Sequence, residues 1–286
     1  MRYLAKRAAA SLLQLLVVSW LAWGLFRWTP GDYWSGEAGD PQRRAESLSA
    51  WRAQAATSYG SWVAGALQGD LGVSLAYRLP VAGLLAPRLA TTLRLASTAW
   101  ALAWGLALCA AALSRSRSMQ AGAAVLALLP EAITGSALLW WAASQGASLD
   151  AFWLPLVILT LAVAPVIYLH AARSFHAARQ ARFVRLAEQR GVKSIALWLW
   201  YVWPAAAHPL LALAGTTAAG VLGSSLVVEA ITGRAGIGPL FLEAFQRRDY
   251  PIVQAVLLLL AAVLTSVNLV ADLALYRLDP RIRVSA

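Results

Sequence analysis

Six apolar stretches, at 8–28, 91–113, 119–143, 152–172, 204–228 and 252–276, limit what this chain can fold into. Each approaches or exceeds the roughly 20 residues that an α-helix needs to cross a hydrocarbon core about 30 Å thick. Inside a bilayer no water satisfies the peptide groups, so such stretches fold as helices that close their own hydrogen bonds. The expected fold class is all-α: a polytopic membrane protein with six transmembrane helices in one domain over 1–286. Composition agrees, because 60% of the residues are hydrophobic and only 13% are charged. A soluble domain of this length would have no means of covering that apolar surface. The net charge of +11 does not point to nucleic acid, since the basic residues gather at the ends of the apolar blocks.

Arg2, Lys6 and Arg7 precede the first block, as in a signal peptide. However, the apolar run is long and Arg27-Trp28-Thr29-Pro30 follows it rather than a small-residue cleavage site, so an uncleaved span is expected. The lone cysteine, Cys109, allows no disulfide within the chain and is expected to be a buried, inert thiol. Tryptophans such as Trp20, Trp28, Trp140 and Trp153 near the block ends suit headgroup anchoring.

Lysine and arginine set the orientation. One set of segments, including Arg2, Lys6, Arg7, Arg115, Arg117, Arg173–Lys193 and Arg277–Arg283, holds most of the basic residues against only Glu188 and Asp279. In the opposite segments acids and bases nearly balance. The first set is expected in the cytoplasm, with both termini. Residues 29–90 then form an external segment. In it Asp40-Pro41 reads as a helix start, and Tyr59, Trp62, Val63, Ala66 and Leu67 recur at the spacing of an amphipathic helix on the membrane surface. Residues 69–74 read as a turn.

The chemistry is that of transport without its own motor. No Gly-x-x-x-x-Gly-Lys-Ser/Thr phosphate cradle exists, and Lys6 and Lys193 are the only lysines. No catalytic pairing or metal-ligand spacing is present, and His170, His176 and His208 read as structural or interfacial groups. Energy must come from an ion gradient or from a partner. A gradient-driven secondary transporter would need charged or broken-helix sites near mid-membrane. Glu131 and Asp272 are what the chain offers, and no inverted repeat is visible. Glu131 follows Pro130 and is read either as meeting a cationic solute along the pathway or as pairing with an arginine such as Arg94. Asp272, one turn after Asn268, is read as an interhelical hydrogen-bonding group, and Arg94 as snorkelling to the interface.

The segment 173–203 favours a partner. Phe183 to Arg190 reads as a helix stopped by Gly191, with Ser194 capping a second helix. Such a compact projection can transmit force into a docked subunit.

Several motifs together resemble the permease subunits of peptide/nickel-class ABC importers, on the side of the first permease of the pair. They are Glu229-Ala230-Ile231-Thr232-Gly233-Arg234-Ala235-Gly236-Ile237-Gly238, Arg248-Asp249-Tyr250-Pro251, Asn268 with Asp272, and Leu278-Asp279-Pro280-Arg281. Pro30-Gly31-Asp32, Gly69-Asp70-Leu71-Gly72 with Ser74, and Leu89-Ala90-Thr91-Thr92-Leu93 extend the likeness over nearly the whole chain. The resemblance implies a bacterial or archaeal plasma-membrane protein that forms half of a translocation pathway for peptides, nickel or a related small solute. It implies a second homologous permease, two ATP-binding subunits, an external substrate-binding protein and contact with membrane lipid. No cofactor and no enzymatic activity on this chain are implied.

The residues implied for ATPase coupling are Arg185, Ala187, Glu188, Arg190 and Gly191, with Pro209 matching a proline eighteen positions after the glycine. The pathway candidates are Glu131, Glu229, Gly233, Gly236 and Gly238, the glycines through the tight turns they permit. The chain departs from the family after Gly191. There Ile195, Trp198, Trp200 and Trp203 stand where basic residues are usual, and Arg182 stands where an acid is common.

Overall fold

The computed structural model describes residues 2–28, 49, 52, 57–113, 116–146 and 152–278. The expected helix start at Asp40-Pro41 lies outside them. Among the described residues the long helices are α1 (Arg2–Trp28), α3 (Val81–Leu113), α6 (Trp153–Gln180), α9 (Trp203–Thr232) and α11 (Tyr250–Leu278). Between them lie the short helices α2 (Tyr59–Leu67), α4 (Arg117–Leu128), α5 (Glu131–Ser144), α7 (Arg182–Gln189), α8 (Ser194–Leu197) and α10 (Ile237–Gln246). Five helical stretches are long and apolar enough to cross a membrane, or six when α4 and α5 count as one broken span.

The long helices outrun the apolar windows. Helix α3 begins at Val81 rather than near 91, and α6 continues to Gln180, past 172. The backbone ladder does not stop where hydropathy falls, because the polar ends keep their i to i−4 bonds. The stretch 119–143 is not one rod. It is bent by 97° between α4 and α5. Leu129 is extended (φ −79°, ψ 124°) because the Pro130 ring disfavours the helical conformation of the residue before it. Pro130 then opens α5, where its missing N–H costs nothing.

Small residues let the helices approach closely. On α3, Ala96, Ala99, Ala103, Ala107 and Ala111 are buried, and α3 and α6 form the broadest helix–helix contact. Helix α9 meets α11 at Gly215, where an added Cβ would stand 2.6 Å from the Ala271 Cβ. Three apolar clusters stack along the bundle. One joins Ala103, Ala107 and Ala111 to Ile167, Phe175, Val184 and Ala206. A second joins Leu95 and Ala99 to Leu154, Ile158 and Val221. The third joins Val81 and Leu85 to Ile237, Leu240, Ile252 and Val256. Helix α1 leans on α11 and leaves Leu12, Leu13, Leu16, Val17 and Trp20 exposed, a face suited to lipid. Cys109 is exposed rather than buried, because the packed face of α3 is the alanine stripe and residue 109 lies off it.

The amphipathic segment after residue 57 forms α2, capped by the Ser58 side chain, which accepts from the Ser61 N–H. Ser194 does not cap α8. Lys193 holds that position, because Gly191 ends the previous helix two residues earlier. Helix α8 runs through a π-helical turn, Trp198–Val202, straight into α9.

Candidate functional site

The candidate residues fall into two groups at opposite ends of α9. The first is the projection formed by α7 and α8. Ala181 is extended (φ −62°, ψ 137°) and breaks α6 from α7. One face of α7 is apolar and buried: Val184 joins the cluster around Phe175 and Ala206, and Ala187 is buried with it. Arg185, Glu188, Arg190 and Gly191 are exposed on the other face. Gly191 takes φ +81°, a conformation that costs an L-residue with a Cβ. Its N–H donates to the Glu188 carbonyl at 2.9 Å, and the Val192 N–H returns to the Ala187 carbonyl at 3.2 Å. These bonds satisfy carbonyls that the helix end would otherwise orphan.

The aromatic run that replaces the usual basic residues divides in two. Trp198 and Trp203 pack on Phe175, with ring centroids 4.8 and 5.9 Å away. Ile195 and Trp200 are each 76% exposed. Phe183 and Leu186 on α7 are also exposed. The projection is thus pinned to the bundle by aromatic packing and presents apolar side chains between its charges.

The second group lies at the far end of α9. Glu229 is completely buried. Thr92 Oγ1 and the Gly238 N–H both donate to its Oε2 at 3.0 Å, and the Ile237 N–H donates to Thr92 Oγ1 at 3.0 Å. The carboxylate therefore sits at the N-terminus of α10, where free N–H groups and the helix dipole favour negative charge. The three glycines have different reasons. Gly233 alone is left-handed (φ +66°) and ends α9. Gly236 is extended, and a Cβ there would enter the Glu229 carboxyl group. Gly238 has no room because a Cβ would meet the Leu226 backbone. Two of the three serve close approach rather than a turn. Glu229 is a strut within the subunit and does not line an open passage in this conformation.

Sequence reasoning noted Asp249 only as part of a motif. Asp249 is fully buried and ties the turn after α2 to the α10–α11 corner. Ser74 Oγ donates to its Oδ2 at 2.5 Å, and the Leu75 and Ala76 N–H groups donate to its two oxygens at 3.2 and 3.0 Å. Nearby, Tyr77 donates its hydroxyl to Glu243 Oε2 at 2.6 Å. Burial, helped by that carboxylate, raises the phenol above its ordinary range and keeps it a neutral donor. A legible hint was an acid beside Tyr-Pro at a helix start together with a serine in a glycine-flanked turn.

Glu131 opens α5 and accepts from Ser224 Oγ on α9 at 3.2 Å, and no arginine among the described residues pairs with it. Arg94 instead lies over the Phe152 ring, 5.7 Å from its centroid. Asp272 pairs with Arg7 of α1, a partner the spacing with Asn268 did not suggest.

Comparison with known proteins agrees with this architecture. Residues 105–284 match the family described as binding-protein-dependent transport system inner membrane component. Over 99% of both chains, the protein is 30% identical to the glutathione transport system permease protein GsiC of Escherichia coli. The same name, identity and coverage hold for a relative from Salmonella choleraesuis. A Brucella suis protein provisionally named a peptide permease is 28% identical over the full length of both. The chain belongs to the family of binding-protein-dependent inner membrane transport components and is a permease subunit of an ABC importer, a transport component within a larger complex rather than an enzyme or a gradient-driven carrier.

Proposed function

We propose that this subunit forms half of a translocation pathway for short peptides or peptide-like solutes. A second, similar permease would supply the other half. Two ATP-binding subunits would dock on the cytoplasmic side, one of them on the α7–α8 projection, and a substrate-binding protein would dock at the end that carries residues 57–80. In this reading both termini and the projection are cytoplasmic, which follows from the clustering of lysine and arginine. Peptide cargo is favoured over nickel because the relatives are named for glutathione and peptide transport.

The observation that carries the reading is the continuity of α9. Its π-helical start grips Phe175 and the projection, and its end buries Glu229 in the seat of α10. Closure of an ATPase dimer would displace α7. Val184 and Trp198 would pass the shift through Phe175 into α6 and α9. A packed helix moves as a body, so the Glu229 seat at the other end would follow. Arg185 and Arg190 would supply charge contacts, and Trp200 and Ile195 the apolar part of the docking surface.

Copurification tests the assembly. A tagged subunit should bring down one further permease, two ATP-binding chains and, on addition, the binding protein with its ligand. Retention of no ATP-binding chain would overturn the docking assignment. A metal ion in place of a peptide in the binding protein would overturn the cargo.

A further inference from the structure

A cavity of about 300 Å³ lies at the end of the bundle that carries residues 57–80, between the last turns of α1, helix α2, the Gly69–Gly72 turn and the start of α11. Its walls carry charge of both signs and a buried amide. Arg27 and Asp70 both line it. The Arg27 guanidinium is set in place by the Trp23 ring, 3.8 Å from its centroid, and by the Thr57 carbonyl, to which it donates. Asp70 is fixed by the turn it opens, its Oδ1 accepting from the Gly72 N–H at 2.9 Å. Among the described residues no donor reaches its Oδ2 and no cation pairs with it. Gln254 lines the same cavity and is only 7% exposed. Its amide nitrogen donates to the Ala22 carbonyl at 3.0 Å, which directs the amide oxygen the other way. That oxygen has no donor among the described residues, yet solvent reaches it.

A carboxylate oxygen and an amide oxygen beside an indole wall, here Trp62, suit a primary ammonium. The Arg27 charge on the same cavity repels a simple amine and favours a ligand that carries an anionic group as well. The volume is at the small end for ligand pockets and admits a molecule the size of a dipeptide. We infer that this cavity is a binding site for a compact zwitterion, with its ammonium on Asp70 and Gln254 Oε1 and its acid group toward Arg27. Two sources carry that chemistry: a free amino acid or dipeptide, and the headgroup of phosphatidylethanolamine. Position gives binding a consequence. Val73 and Pro251 also border the cavity, next to the Ser74–Asp249 bond, and Gln254 ties α11 to α1. A bound zwitterion therefore braces α1, α11 and the turn after α2 against one another.

The test uses the full-length chain in nanodiscs, without the binding protein. In phosphatidylcholine nanodiscs, whose headgroup has no N–H to donate, dialanine is titrated by calorimetry. N-acetyl-dialanine, which lacks the ammonium, and dialanine amide, which lacks the acid, are titrated beside it. In mixed phosphatidylethanolamine and phosphatidylcholine nanodiscs, native mass spectrometry counts the ethanolamine lipid retained. Asp70→Asn removes the charge but keeps an oxygen for the Gly72 N–H, so the turn should survive. Arg27→Gln removes the opposing charge. Each substitution should weaken the bound zwitterion by about tenfold, the scale of one hydrogen bond to a charged group, and so should loss of either ligand charge. Dialanine binding assigns the site to a solute, and selective retention of phosphatidylethanolamine assigns it to lipid. Neither in the wild type overturns the site. Binding or retention that both substitutions leave unchanged overturns it too, as does N-acetyl-dialanine that binds as tightly as dialanine.

Discussion

At the residue scale the loop end is built on two buried acids, Glu229 and Asp249, each working as an acceptor for backbone N–H groups. The roles of the glycines around Glu229 can be separated. At Gly233 an added Cβ meets nothing within 4 Å, so Gly233→Ala carries only the left-handed backbone cost of about 1–2 kcal/mol. At Gly236 a Cβ collides with the Glu229 carboxyl group and strands its hydrogen bonds. Gly236→Ala should therefore lower the melting temperature of the detergent-solubilised chain clearly more than Gly233→Ala. Fluorescence-detected size exclusion after heating reads the order, and the reverse order would contradict the strut role of Glu229. Asp249→Ala leaves two backbone donors without their acceptor and should destabilise by about 2–5 kcal/mol. Asp249→Asn keeps one carbonyl oxygen and should lose less in the same assay.

Among the elements, α7 is the one whose sequence and role can be pulled apart. It is short, pinned by Val184 and Ala187, and stopped by a glycine at φ +81°. Gly191→Val places a β-branched residue in a region it scarcely occupies, which should tilt α8 and the π-helical turn that follows. Arg185→Glu reverses a charge on the exposed face without touching the buried one. Both variants should reach the membrane at normal abundance, because neither lies within an apolar span. Both should lose ATPase retention or stimulation of ATP hydrolysis in nanodiscs, and with it transport. Wild-type values in both would remove α7 from the coupling path and leave it a basic loop against lipid. The α4–α5 bend behaves differently: it follows from Pro130 and needs no partner to explain it.

For the molecule as a whole, the arrangement of charge predicts a topology. Ser116 and Gln180 should be inside, and Ser61 and Gln145 outside. All four are exposed, and so is Cys109, which must first be replaced by alanine. Single cysteines at the four positions, labelled with an impermeant thiol reagent on intact cells, should react only at 61 and 145. Labelling at 180 would invert the assignment and move the projection to the wrong face for an ATPase. The Arg7–Asp272 pair fits the assignment, since it brings the first turns of α1 beside the last turns of α11 at the projection end.

The sequence by itself determined the helices, the membrane and the class of machine. A bilayer demands long self-bonded apolar stretches, and the glycine stop at Gly191 was readable through backbone sterics alone, whereas the bend at Pro130 was missed because the apolar run 119–143 continues through it. The reach of the helices beyond the apolar windows, and the exposure of Cys109, were not readable, because hydropathy reports burial in lipid and not packing within the bundle. Tertiary structure alone decided who meets whom. Ser74 and Asp249 are 175 residues apart, Thr92 and Glu229 are 137 apart, and Arg7 and Asp272 are 265 apart. No periodicity encodes such pairs. The first two exist because close helix packing carries their polar groups away from water, where a buried carboxylate is stable only if the fold delivers donors to it, whereas Arg7–Asp272 is an exposed pair made by the antiparallel contact of α1 with α11. The same packing set Glu229, named as a pathway candidate, fully buried in the seat of α10.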